Sequence, residues 1–312
     1  MKITLLEPIG ASINNVDEFK AELENNGHEL VTYDSRPTND EEIIKRSSDS
    51  DIIVLTNFKI SANVINNCPN LKMISVAFTG FDHIDLKTCN EKNIVVCNAA
   101  GYSTDSVAEL SIGLMISVLR KIVWGDKKVR ELSTRERFLG TELKGKTVGV
   151  IGTGTIGLAA IKLLEAFGCK VIAFSRTKKP GINYLELDEL LSQSDIVTLH
   201  VPLNEKTNKM INENNLKLMK PSSIIINTAR GAVIDNDALA DALINKTIAG
   251  AGLDTVDMEP PLPENYKLLS APNTVIMPHI GYATKEAMRI RTNIVFENIT
   301  KFLNNDVQNQ VN

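Results

Sequence analysis

The 312-residue chain reads as an α/β protein of two parallel-sheet domains, one inserted into the other. Three observations lead there. Residues 1–99 alternate short β-branched apolar runs with amphipathic stretches, the rhythm of βαβ units whose strands are covered on both faces. The rhythm resumes after residue 143 and lasts for six strands. The first strand of that second series is followed at once by Gly152-Thr153-Gly154-Thr155-Ile156-Gly157 and then by a helical pattern, the context that a dinucleotide fingerprint requires.

In the first series, residues 3–6, 30–33, 52–55, 73–77 and 94–97 are the expected strands, with amphipathic helices between them, as at 16–23 and 40–46. No phosphate-binding glycine turn occurs here, so this is a complete small α/β domain of another purpose. Residues 103–137 break the rhythm. Within them 106–118 is almost continuously apolar, and a helix apolar on most faces must be buried on most faces. The charged stretch 127–137 follows. This section is expected to connect the domains and to supply a dimer contact. From 143 the expected strands are 147–151, 170–174, 195–199, 223–227, 248–253 and 274–277, the number in a dinucleotide-binding fold. A last helix, 285–303, lies beyond the sixth strand and is expected to return to the first domain. The chain then crosses between domains twice. Residues 1–100 with 285–312 form one domain, and 101–284 form the dinucleotide-binding one. The end, 304–312, is expected to fray.

Composition is that of an ordinary globular protein, 43% apolar and 23% charged. A net charge of −4 argues against a general nucleic-acid surface. No apolar run approaches the ~20 residues of a membrane helix. The opening apolar run stops at Glu7 and Pro8, so it reads as a strand and not a signal peptide. The four cysteines, Cys68, Cys89, Cys97 and Cys169, form no CxxC pair. No metal site is expected; reduced buried thiols and a cytoplasmic location are.

Each glycine of the fingerprint has a physical task. Gly152 allows a tight turn, Gly154 lets the backbone approach a pyrophosphate, and Gly157 lets helix and sheet pack closely. The helix start at Thr155 and Ile156 offers N–H groups and a partial positive charge to phosphate.

In an open parallel sheet all strands end on one edge, and ligands bind outside it. Three strand ends here carry reactive groups. The run ending at Asn227-Thr228 leads to Ala229-Arg230-Gly231, and Gly252-Leu253-Asp254 leads to Asp257-Met258-Glu259-Pro260-Pro261. The sixth strand ends in Pro278-His279-Ile280-Gly281. Singly, these are an arginine on a surface, a glutamate decorating a loop and a histidine before a helix. Together, downstream of a cofactor fingerprint, they suit one reaction. Arg230 can grip a carboxylate or polarise a carbonyl. His279 can exchange a proton with the oxygen, and Glu259 can favour the imidazolium and fix its tautomer.

At this point the chain resembles the D-isomer-specific 2-hydroxyacid dehydrogenase family over nearly its whole length. The motifs are Thr79-Gly80-Phe81-Asp82-His83-Ile84-Asp85, Gly152 to Gly157, Asn227 to Gly231, Gly252-Leu253-Asp254 to Pro260, and Pro278 to Gly281. The resemblance implies two Rossmann-like or flavodoxin-like domains, a split substrate domain with the NAD(P) domain inserted, and a homodimer formed through 103–137. It implies that Arg230, Glu259 and His279 are catalytic. It also implies that the Thr79-Gly80 turn binds the substrate carboxylate, and that His200, Thr207, Thr228 and Asp254 line the cofactor site. His83, His28 and Trp124 are left as structural residues.

Where an NAD enzyme places an acid after the second strand of this fold, the chain has Ser175, then Arg176, Thr177, Lys178 and Lys179. A hydroxyl and a guanidinium would hold a 2′-phosphate that a carboxylate repels. NADP(H) is therefore the expected cofactor, with NAD(H) as the lesser one. The substrate implied is a small 2-oxoacid such as glyoxylate or hydroxypyruvate, with Phe58, Phe78, Phe81 and Tyr102 shaping its pocket. Phosphoglycerate dehydrogenases look similar around 140–147, but where they carry arginines this chain has Thr56 and Val76. A nucleotide-sensing corepressor of the same fold is the competing class.

Overall fold

The computed structural model describes residues 1–10, 12–135 and 139–312, the side chains at 13 and 14 excepted. The end of the charged stretch, Arg137, lies outside them. The chain divides into two compact units, Met1–Ser103 with Ala283–Asn312, and Thr104–Tyr282.

The first unit runs β1 (Lys2–Leu5), α1 (Ile13–Asn25), β2 (Glu29–Thr32), α2 (Asp40–Ser47), β3 (Ile52–Leu55), α3 (Ala62–Asn66), β4 (Met73–Val76), α4 (Leu86–Glu91) and β5 (Val95–Asn98). The five strands form one parallel sheet in the order β2-β1-β3-β4-β5. The central β3 and β4 are buried along their length, as continuous apolar runs covered on both faces must be. Side chains start the helices locally. The Asn39 side chain accepts the Glu42 N–H at the start of α2, whose acids sit in the first turn and whose Lys45 and Arg46 sit in the last. That order suits the helix dipole.

The second unit begins with α5 (Thr104–Arg120) and α6 (Ile122–Arg130), separated by Lys121 in the left-handed region at φ 54°. It continues β6 (Thr147–Ile151), α7 (Thr155–Ala166), β7 (Lys170–Phe174), α8 (Leu187–Gln193), β8 (Ile196–Leu199), α9 (Glu213–Leu218), β9 (Ile224–Asn227), α10 (Asn236–Ile244), β10 (Gly250–Leu253) and β11 (Thr274–Ile276). The six strands are parallel, in the order β11-β10-β9-β8-β6-β7. On one face Ile112, Leu114, Met115 and Val118 of α5 close a core with Val148, Val150, Ile161 and Ile226. On the other, Ile151, Leu199 and Ile225 pack with Leu239 and Leu243 of α10. The expected connector is thus two different things: α5 is a core helix of this unit, whereas α6 buries no residue.

The chain returns to the first unit as α11 (Lys285–Leu303), capped by Thr284. Phe296 of this helix stacks on Phe19 of α1 at 3.9 Å between ring centroids. The fraying expected of 304–312 does not occur. Gln310 bridges Cys97 in antiparallel fashion, Val311 N–H donates to Val96 O at 2.9 Å, and the Asn312 side chain donates to Ile94 O at 2.8 Å. Because β5 is the edge strand of its sheet, its outer backbone groups need partners, and the polar tail supplies them. Among the described residues no helix is long and apolar enough to cross a membrane.

Candidate active site

The turn after β6 is held by contacts that leave no room for side chains. Gly152 has φ 98°, and a Cβ there would lie 2.4 Å from His200 O. A Cβ at Gly157 would lie 2.0 Å from Gly152 O, so the first turn of α7 presses directly on the loop. Gly154 is the opposite case. It caps α7 with no side-chain hydrogen bond, and a Cβ there would meet nothing within 4 Å. The opening N–H groups of α7 therefore face an open cradle, with Gly154 and Thr155 exposed and Ile156 partly so. That is what a pyrophosphate needs.

His200 follows β8. Desolvation pushes its pKa down to about 4, so the imidazole is neutral, and Nε2 pairs with Thr198 Oγ1 at 3.0 Å. Thr207 closes the next loop, its hydroxyl donating to Pro202 O at 2.6 Å. Thr228, beyond β9, has a buried hydroxyl with no hydrogen-bond partner among the described residues. A buried orphan of this kind at a strand end fits a site that takes a polar ligand.

Arg230, Glu259 and His279 all belong to the second unit, beyond the C-terminal ends of the adjacent strands β9, β10 and β11. Arg230 is half-buried and directs Nη1 to Ala229 O at 2.9 Å. The Asn227 side chain holds its turn, donating to Arg230 O at 2.9 Å and accepting from Ala229 N–H at 3.0 Å. Gly231 fixes where that turn lies: a Cβ there would sit 1.8 Å from Val256 C and 2.3 Å from Asp257 N. The arginine turn and the segment leading to Glu259 are thus in backbone contact.

His279 Nδ1 lies 2.8 Å from Glu259 Oε1. An ionised carboxylate only accepts, so Nδ1 carries the donated proton and exchange is directed to Nε2. The imidazole is 13% exposed and the carboxylate 66%. The backbone of His279 has φ 55°, a region that costs a residue other than glycine about 1 kcal/mol. Asp254 offsets that cost. Its backbone oxygen accepts the His279 N–H at 2.9 Å, and its two carboxylate oxygens accept the Ile280 and Gly281 N–H groups at 2.8 Å each. The carboxylate is buried. Asp254, expected as a cofactor-lining residue, also clamps the histidine turn. Sequence reading missed this, along with Gly231, because each acts on a segment about 25 residues further on.

Thr79 and Gly80 lie in the first unit beyond β4, where Asn98 Nδ2 donates to Thr79 O at 2.8 Å. Phe58, Phe78 and Tyr102 are buried there. Thr56 donates both its N–H, at 2.8 Å, and its hydroxyl to the carboxylate of Glu7, a buried acid. Ser175 is partly exposed and Arg176 exposed. Among the described residues no group of three His, Cys, Asp or Glu could hold a metal.

Residues 112–281 match the family profile described as D-isomer specific 2-hydroxyacid dehydrogenase, NAD binding domain. The chain is 41% identical over 270 residues to a glyoxylate reductase of Thermococcus litoralis, covering 82% of this chain and 81% of the relative. It is 37% identical to a hydroxypyruvate reductase of Blautia hydrogenotrophica, over the full length of both. Among solved structures, the acyclic imino acid reductase Bsp5 in complex with NADPH and D-Arg superposes with a TM-score of 0.92 at 31% identity, over the full length of both chains. Profile, relatives and strand-end geometry agree, and the chain belongs to the D-isomer specific 2-hydroxyacid dehydrogenases.

Proposed function

We propose that this enzyme reduces a small 2-oxoacid of the glyoxylate or hydroxypyruvate kind to the D-2-hydroxyacid, using NADPH in preference to NADH. The observation that carries this reading is the 2.8 Å pairing of His279 Nδ1 with Glu259 on a turn clamped by Asp254. When bound, the nicotinamide supplies the hydride. His279 delivers a proton from Nε2 to the substrate oxygen, and Glu259 stabilises the charged ring before transfer and keeps its tautomer afterwards. Arg230 provides a fixed positive charge for the substrate carboxylate or carbonyl. In the first unit, Thr79 and Gly80 are the substrate-binding residues, through backbone N–H groups. Residues 1–100 and 285–312 serve as the substrate domain and 101–284 as the NAD(P) domain.

The relatives' names favour glyoxylate and hydroxypyruvate. Against a phosphorylated substrate stands Glu7, whose buried carboxylate occupies Thr56. Arg36, the cation beside it, pairs with that same carboxylate at 3.9 Å, so its charge is already partly offset as a partner for a phosphate dianion. For the cofactor, no carboxylate occurs between 175 and 183, whereas Arg176, Lys178 and Lys179 do. A homodimer is supported by α6 and its flanks, where Ile122, Val123, Val129, Leu132 and Leu139 are all at least 52% exposed. Apolar side chains so grouped are the mark of a covered surface. Cys89 and Cys97 are buried thiols whose pKa burial pushes up to about 11, in keeping with a reducing, cytoplasmic setting.

The test is NADPH oxidation with a panel of 2-oxoacids. Turnover of glyoxylate or hydroxypyruvate to the D-product is expected, with 3-phosphohydroxypyruvate poor. If cofactor binds, no 2-oxoacid is turned over and partner binding responds instead, the sensing role replaces the catalytic one.

A further inference from the structure

We infer that Tyr184 is a specificity-setting residue: its hydroxyl ties the basic turn after β7 to the glycine-rich turn, so that the cations are pre-ordered for a 2′-phosphate. The inference rests on the NADPH reading and deepens it.

The basic segment leaves β7 at Phe174 and comes back at Tyr184, which forms a parallel bridge beside Ala173. Ala173 N–H donates to Asn183 O at 2.8 Å and Leu185 N–H to Ala173 O at 2.9 Å. Both ends of the loop are therefore fixed by backbone bonds. Its middle is fixed by three more. Lys179 N–H donates to the Tyr184 hydroxyl oxygen at 2.9 Å. The Tyr184 and Thr153 hydroxyls are 2.9 Å apart, and Thr153 Oγ1 lies 3.2 Å from Thr177 O. A carbonyl only accepts, so Thr153 must donate to Thr177, which leaves Tyr184 to donate to Thr153. Every proton in the chain is used once. Thr153 is buried at 3% exposure and belongs to the turn held by Gly152 and Gly157.

The Tyr184 ring has a second contact. Lys178 Nζ lies 5.9 Å from its centroid, within cation–π range. Arg176, Lys178 and Lys179 are thus carried on a segment stapled to the phosphate-binding turn. A free basic turn would lose its ordering entropy when a phosphate arrives; a stapled one has lost it on folding. NADH lacks the 2′-phosphate and gains little from that order. The hydroxyl of Tyr184 therefore acts on the difference between the two cofactors.

The test is equilibrium binding by the full chain without substrate. Dissociation constants are measured by fluorescence titration for NADPH, NADH, 2′-AMP and 5′-AMP, on the wild type, on Tyr184→Phe and on Tyr184→Leu. The phenylalanine keeps the ring under Lys178 and removes only the hydroxyl. Losing one such bond should weaken NADPH and 2′-AMP by about five- to tenfold, with NADH and 5′-AMP changed by less than about twofold. Tyr184→Leu, which removes the ring as well as the hydroxyl, should show a selective loss at least as large, which keeps the test open should one variant fold poorly by circular dichroism. Equal losses for all four ligands, or none, in proteins that still prefer NADPH overturn the inference. A wild type that binds NADH as tightly as NADPH refutes the NADPH reading itself, and the inference with it.

Discussion

Both carboxylate oxygens of Asp254 accept backbone N–H groups of the turn that carries His279, and that turn is left-handed at the histidine. Asp254→Asn keeps the volume but turns an NH2 group toward one of those donors. A loss of about 1–3 kcal/mol in unfolding free energy is expected, together with a fall in kcat larger than the change in cofactor affinity. Urea denaturation and steady-state kinetics on one preparation check both. His200 makes a second prediction. Its folded-state pKa of about 4 lies below the ordinary value near 6.5. Between those values the unfolded chain binds more protons than the folded one. The stability is therefore fully present above about pH 6.5 and is lost as pH falls toward 4, by up to about 3 kcal/mol. His200→Gln should flatten that acid limb, read as the difference in denaturation midpoint between pH 7.5 and pH 5. An equally steep limb in the variant would remove His200 from the account.

Among the elements, the decisive contact is between the Arg230 turn and the backbone at 256–257, where Gly231 leaves no room for a Cβ. Gly231→Ala must part the two segments. The expected cost is about 1–3 kcal/mol, with kcat/KM falling more steeply than stability does. Unchanged kinetics would show that the contact is packing alone. Much of the fold, though not this contact, was legible in sequence. Uninterrupted β-branched runs such as 224–226 and 52–54, spaced in a βαβ rhythm, read as strands covered on both sides, and a glycine turn between strand and helix carries its own reason. The clamp by Asp254 was not legible, because a left-handed histidine leaves no mark in residue types. Nor was the docking of the tail, since 304–312 is polar and its pairing with β5 runs through backbone groups that any sequence possesses.

At the scale of the whole molecule, the chain crosses between its two units at Ser103–Thr104 and again at Tyr282–Ala283. The second crossing falls a few residues after His279, so one short segment serves both the histidine turn and the return to the first sheet. The exposed apolar side chains on and beside α6 make a molecular prediction. The wild type should sediment as a dimer, and Val129→Glu combined with Leu132→Glu should sediment as a monomer with unchanged far-UV circular dichroism. A monomeric wild type would leave that surface without its proposed occupant.

On the reading proposed above, His279, held by Glu259 and Asp254, moves the proton that accompanies hydride transfer. Single-turnover oxidation of bound NADPH by glyoxylate tests it most directly, in the wild type and in His279→Gln. The rate is expected to fall by about 10²–10⁴-fold while the dissociation constant for NADPH stays within about twofold of the wild type. A variant whose single-turnover rate remains within about threefold of the wild type would contradict it, because the proton would then be coming from another group.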